Sequence, residues 1–204
     1  MKRVSISGSP RENVGKKDAK MHRAEGRVVS VLYGSGEQTH FTIEKNPFNK
    51  IIFTPDVFII DLEINGKVIP AILQDVQYHP VTDEPLHADF LQIIEGKPVN
   101  IDLPVKLKGV APGIIKGGIL TKKLRTIPIK GLVNDIPEFI TIDISGLNIG
   151  NNIKIRDIDF GKLVPQITEG NLVVGVKTAR GAAVGDEEED GEGEGEGGEA
   201  AAAE

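Results

Sequence analysis

The sequence of 204 residues contains no cysteine and no tryptophan, two methionines, and an aromatic share of only 4%. Without cysteine there is no disulfide scaffold, no thiolate-ligated zinc or iron–sulfur site, and no thiol nucleophile. No stretch approaches the roughly 18 consecutive apolar residues of a membrane-crossing helix. The opening Met1-Lys2-Arg3 runs on into Val4-Ser5-Ile6-Ser7-Gly8-Ser9-Pro10, which lacks the apolar core of a secretory signal. These absences predict a soluble, cytoplasmic protein with no membrane partner.

What is abundant is β-branched. Isoleucine and valine number 26 and 18, against 12 alanines and 13 leucines. Such side chains suit a pleated surface and lose rotamer freedom in helices, so a mainly β fold is expected. The net charge of −6 hides an uneven distribution. Residues 1–33 hold 8 basic and 3 acidic residues, 97–180 hold 13 and 7, and 181–204 hold none and 10. Acid concentrated in a tail leaves the rest of the chain free to meet a polyanion.

The last segment, 181–204, combines Asp186-Glu187-Glu188-Glu189-Asp190 with Gly-Glu alternation and Ala200 to Ala203. It has almost nothing to bury and repels itself, which predicts a disordered acidic tail. A solubilising role is the plain reading; an electrostatic mimic of nucleic acid is the alternative. Ahead of the tail, short strands recur. Phe58, Ile60, Leu62 and Ile64 alternate with Ile59, Asp61 and Glu63, and Asn65-Gly66 signals a hairpin returning along Lys67 to Leu73. Val99, Ile101, Leu103, Val105 and Leu107 form another alternation, in which Pro104 predicts an edge strand or a bulge. Further strands are expected at Val28–Tyr33, His40–Ile43, Ala88–Ile94, Leu124–Lys130, Phe139–Ile144 and Leu172–Val176. Helices are expected over Gly15–Ala24 and from an Asn46 cap with Pro47 to about Phe53. A polar turn at Glu95-Gly96-Lys97-Pro98 divides the chain into a first domain, 1–95, and a second β-rich domain, 96–180.

Enzyme signals are weak. Gly34-Ser35-Gly36 lacks the third glycine of a dinucleotide site, and Gly109 to Gly118 lacks the Lys-Ser/Thr of a phosphate loop. The latter is expected to be a flexible inter-strand loop. His22, His40, His79 and His87 show no metal-ligand spacing, so neither metal nor cofactor is expected. His87 and Asp89 project from one face of a strand. The pair could hold a metal, exchange a proton or read a nucleic-acid edge, or Asp89 could simply fix the imidazole. Arg11, Lys16, Lys17, Lys20, Arg23 and Arg27 cluster with few acidic partners. Lys16, Lys20 and Arg23 share one helical face, and unneutralised cations are what phosphate binding needs.

In order along the chain, Gly15-Lys16, His22-Arg23, Gly26 and Val31-Leu32-Tyr33-Gly34 precede Gln74-Asp75-Val76-Gln77-Tyr78-His79-Pro80 and Leu86-His87-Ala88-Asp89-Phe90. Together they resemble the bacterial large-subunit ribosomal protein number twenty-five, the 5S-rRNA-binding family that includes the general stress protein CTC. Leu103-Pro104-Val105, Gly109 to Gly113, Lys116 to Leu120, Ile136 to Ile140 and Asp143 to Gly150 resemble the second domain of its longer members. The resemblance implies a non-catalytic constituent of the large ribosomal subunit whose N-terminal small β-barrel, carrying one or two short helices, docks on 5S rRNA in the minor groove of an internal-loop helix. By the same resemblance the contacts are Arg11, Arg23, Tyr33, His87 and Asp89, with Lys16, Lys20, Gln74 and Gln77 as further candidates. Family members often carry arginine where this chain has Lys20 or Met21; lysine loses the bidentate fork and methionine the charge as well. The positive surplus of 97–180 suggests either contact with 23S rRNA or ordinary surface charge. The alternatives are a free-standing transfer-RNA anticodon-binding module and a metal-dependent enzyme centred on His87 and Asp89. A duplex RNA offers a wide, shallow minor groove that a sheet surface can meet.

Overall fold

The structure, a computed structural model, describes residues 1–36 and 38–178. The expected disorder of 181–204 lies outside the described residues. The first half contains β1 (Lys2–Pro10), α1 (Lys16–Ala24), β2 (Arg27–Tyr33), β3 (Thr39–Glu44), α2 (Lys45–Ile52), β4 (Phe58–Ile64), β5 (Lys67–Tyr78) and β6 (Pro85–Gln92). Its six strands close a barrel in the order β1-β3-β2-β6-β5-β4. Two of its pairings, β1 with β4 and β2 with β6, are parallel.

The local chemistry explains the elements. Asn65 and Gly66 adopt φ of 52° and 74°, the conformation a two-residue hairpin turn requires. Inward positions of β2 (Val28, Leu32), β3 (Phe41, Ile43), β4 (Ile60, Leu62, Ile64) and β6 (Ala88, Phe90) are buried and form one core. Phe48 and Ile51 of α2 join this core, and the Phe48 ring lies 6.1 Å from Phe90. β1, not foreseen from the sequence, contributes Ile6 and then Gly8. A Cβ at Gly8 would stand 2.8 Å from Cδ2 of Phe41, so the missing side chain makes room for that ring.

Three local expectations are corrected. α2 is capped by Glu44, without a side-chain cap bond, and not by Asn46. Pro47 is its third residue, still in the first turn, where a missing N–H leaves no helical bond unmade.

The second half contains β7 (Val99–Lys108), α3 (Pro112–Ile115), β8 (Gly118–Lys122), β9 (Thr126–Gly131), β10 (Ile140–Asp143), β11 (Asn152–Lys154), β12 (Val164–Pro165) and β13 (Leu172–Thr178). They make a four-stranded sheet, β10-β7-β9-β12, and a three-stranded sheet, β11-β13-β8. β7 is therefore interior to its sheet, and its register with β9 is unbroken. Pro104 is tolerated because the β9 ladder ends at the Pro104–Thr126 pair while pairing with β10 begins only at Val105. The Gly109–Gly118 stretch is not a plain loop either: it carries α3. Gly113 is buried, and a Cβ there would meet backbone atoms of Asn148 and Ile149 at 2.8 Å.

The two halves share apolar contact. Ile72 on β5 is 1% exposed and belongs to the second core, against which Leu91 and Ile93 also pack. Ile72 and Leu91 are cross-strand partners, opposite in phase to the inward Phe90, so the outside of the barrel at this end forms part of the neighbouring interior.

Candidate nucleic-acid interface

On the outer face of the barrel, strand register sets the side chains in rows. Val31, Asp89 and Asp75 are neighbours across β2, β6 and β5; Val29, His87 and Gln77 form the adjacent row. Tyr33 is beside Leu91 on the other flank. The phase of β5 depends on an irregularity between Leu73 and Asp75, where Gln74 is the extra residue. Inserting one residue inverts the alternation, so Asp75 and Gln77 face outward with His87 and Asp89 while Val76 turns toward the core.

α1 lies against β2. Its half-buried positions are Asp18, Ala19 and His22, while Lys16, Lys17, Lys20, Met21 and Arg23 are exposed. Arg23 reaches the sheet, and its Nε donates to the carbonyl of Leu86 at 3.0 Å, immediately before His87. This bond places the Lys16–Lys20–Arg23 flank beside β6. Arg23, Tyr33, His87, Asp89 and Gln77 thus occupy one continuous surface, bordered by the helix cations. Among the described residues, Lys16, Lys17, Lys20 and Arg23 make no ion pair.

Two candidates are differently employed. Gln74 turns its amide to the carbonyl of Asn100 on β7 at 3.0 Å, tying the barrel to the second half. Arg11 is folded onto Asp18, with Nε at 2.8 Å and Nη2 at 2.5 Å from the same carboxylate oxygen, and its side chain is 4% exposed. It offers no free guanidinium to a ligand in this conformation.

The polar centre of the face is acidic as well as aromatic. His87 Nδ1 lies 2.7 Å from Asp89 Oδ1. The approach is short but is not aligned as a hydrogen bond, and this buried oxygen has no other donor. Asp75 stands directly across from Asp89, a like-charge pair that sequence reasoning missed. Burial, followed by the Asp89 and Asp75 carboxylates, pushes the Tyr33 phenol above its ordinary value; burial and Asp75 do the same to Tyr78. Both phenols therefore stay protonated and available as donors at neutral pH. Carboxylates at such a place repel phosphate but accept from base amino groups or 2′-hydroxyls. The surface combines cations at its border with acceptors and phenols at its centre.

One further imidazole shapes a turn. His79 Nδ1 accepts from the backbone N–H of Val81 and Thr82, both at 3.3 Å, and shapes the β5–β6 turn. Among the described residues no three or more His, Asp or Glu side chains are placed to hold a metal ion. In the second half, Lys122 donates to the Val105 carbonyl and Lys106 rests 3.9 Å from the centre of the Phe139 ring, so part of its positive surplus is consumed internally.

Comparison with known proteins bears on this surface. Residues 6–90 match the model of the ribosomal L25p family, and residues 98–180 match the C-terminal domain of ribosomal protein TL5. A large ribosomal subunit protein bL25 from Christiangramia forsetii is 40% identical over 182 residues, covering 88% of this chain and 83% of the relative. The chain belongs to the bL25 family. Further bL25 relatives from Azobacteroides pseudotrichonymphae and Bacteroides thetaiotaomicron are 40% and 38% identical, each covering 89% of this chain and 97% and 95% of theirs. In this bL25 chain the L25p match spans most of the barrel and includes every candidate contact from Arg11 to Asp89.

Proposed function

We propose that this chain is a structural, non-catalytic constituent of the large ribosomal subunit, and that it binds 5S rRNA through the outer face of β2, β6 and β5 together with α1. The observation that carries the reading is the convergence of Arg23, Tyr33, His87 and Asp89 on one surface, with Lys16 and Lys20 on its rim. Lys16, Lys20 and Arg23 meet phosphates, which position the protein without reading sequence. Tyr33, Gln77, His87 and Asp89 address sugars and base edges across the shallow minor groove of an RNA duplex. A face with carboxylates at its centre favours a ligand that presents donors there, which sets a folded RNA helix apart from a bare polyanion.

The test is a gel shift of the full chain with 5S rRNA, transfer RNA and an unrelated RNA duplex, each over a series of salt concentrations. Preferential, salt-dependent retention of 5S rRNA supports the reading. Equal affinity for all three, or an affinity that salt leaves unchanged, overturns it.

A further inference from the structure

The charges of the second half are unbalanced along the chain. From Leu103 to Asn134 there are seven basic residues and no acidic one, and from Gly170 to Gly185 there is again no acidic residue. β8, β9 and β13 therefore carry cations with no carboxylate among them. Segment 181–204 is the reverse, with ten acidic residues and no basic one. We propose that this acidic tail of the same chain occupies the cationic row along β8 and competes there with RNA. The proposal stands apart from the 5S rRNA reading, because the row lies outside the barrel.

β8 is the outermost strand of its sheet and pairs with β13. Lys116 precedes it by two residues, Lys123 follows it directly, and Arg125 lies two residues further on. Lys177 of β13 is the cross-strand partner of Ile119, and side chains two residues apart share a face, which sets Lys177 with Ile119, Thr121 and Lys123. Lys116, Lys123, Arg125 and Lys177 are exposed, and among the described residues none of the four makes an ion pair. Lys122, on the other face, is the one that turns to the Val105 carbonyl. The acidic segment starts from the same place. β13 ends at Thr178, opposite Gly118 at the head of β8. Asp186-Glu187-Glu188-Glu189-Asp190 begins eight residues later, a reach of about 26 Å of extended chain. β8 has five residues and is about 17 Å long, so the acidic run can meet every cation from Lys116 to Arg125. Each exposed pair is weak alone, and salt screens it over about 10 Å at 0.1 M. Tethering compensates, because an attached ligand acts at an effective concentration on the order of mM, and five carboxylates here meet four cations together. A surface held by its own tail leaves the barrel to choose the RNA. A polyanion gains the second half only by displacing the acidic run.

Zero-length carbodiimide cross-linking of the full chain, mixed with an isotope-labelled copy and read by mass spectrometry, locates the acidic run. The expected products are amides between Asp186–Asp190 and Lys116, Lys123 or Lys177, formed within one copy and fading as salt rises. Their absence overturns the proposal. Links spread evenly over the exposed lysines, those of α1 included, or links only between copies, overturn it as well. Competition is read by fluorescence anisotropy with an unrelated RNA duplex at low salt. D186N/E187Q/E188Q/E189Q/D190N should bind that duplex about tenfold more tightly than the parent chain, the scale of several exposed ion pairs acting together, and with a steeper salt dependence. Adding K116A/K123A/R125A/K177A, four exposed positions whose truncation leaves the core intact, should abolish the gain. Unchanged affinity in the neutralised chain overturns the competition. So does a gain that survives the four substitutions, because the general fall in negative charge then accounts for it.

Discussion

Replacing Arg23 by alanine removes two things at once: a positive charge on the rim of the face and the 3.0 Å bond that draws α1 to the Leu86 carbonyl. A hydrogen bond to a charged group contributes roughly 1.5–3 kcal/mol when sheltered. Arg23 is exposed, so solvent screening lowers the expected loss of RNA affinity to about 1–2 kcal/mol, a factor of roughly 5 to 30. The plot of log affinity against log salt should become shallower by about 0.9, the contribution of one phosphate on a B-DNA-like duplex. R23K should keep most of that slope, because the charge remains, while losing part of the affinity with the planar fork. Lys123, in the link between β8 and β9, is the matched control: K123A should leave both affinity and slope nearly unchanged. Fluorescence anisotropy with labelled 5S rRNA at several salt concentrations reads all three variants. Equal losses for R23A and K123A, or an R23A slope identical to that of the parent chain, would refute the argument that this flank of α1 faces the RNA.

Other outcomes follow from the same geometry. D89N should retain more 5S rRNA affinity than D89A, since the amide keeps an oxygen acceptor for a base amino group or 2′-hydroxyl; equal losses would reject that role. G8A places a Cβ against the Phe41 ring and should cost about 1–3 kcal/mol of stability, visible as a fall in Tm of about 2–4 °C per kcal/mol; an unchanged Tm would mean that the ring shifts freely. The raised phenols of Tyr33 and Tyr78 favour the folded state fully below the unfolded value of 10.0. That contribution is lost as pH rises from there through the folded values. An absorbance titration should show phenolate forming later in the folded chain than in the denatured one; coincident curves would contradict the burial and carboxylate effects.

Much of the barrel could be read from the sequence because its signals are local. The Asn65-Gly66 turn needs only two residues with φ above zero, and the alternation in β4 needs only its own neighbours. Even β1 carried a signal that was passed over, since Val4, Ile6 and Gly8 alternate with Arg3, Ser5 and Ser7. What the sequence withheld depends on pairing. Pro104 looked like an edge residue because a one-dimensional reading cannot show one ladder ending where another begins. The irregularity at Gln74 inverts the phase of β5, so Asp75 gave no sign that it stands opposite Asp89. Arg11 looked like a free cation because Asp18, seven residues on, becomes its partner only once the chain after β1 turns back along α1. The helix flank and the His87–Asp89 pair were legible since spacings of three, four and two residues place side chains on common faces.

Because Ile72 and Leu91 sit on the barrel yet fill the interior of its neighbour, prising the two apart would uncover greasy surface on both. The chain should therefore melt in a single step and behave as one stiff lever. Whatever grips the barrel also dictates where the far sheets point, so the outer half is aimed by a partner it never has to touch.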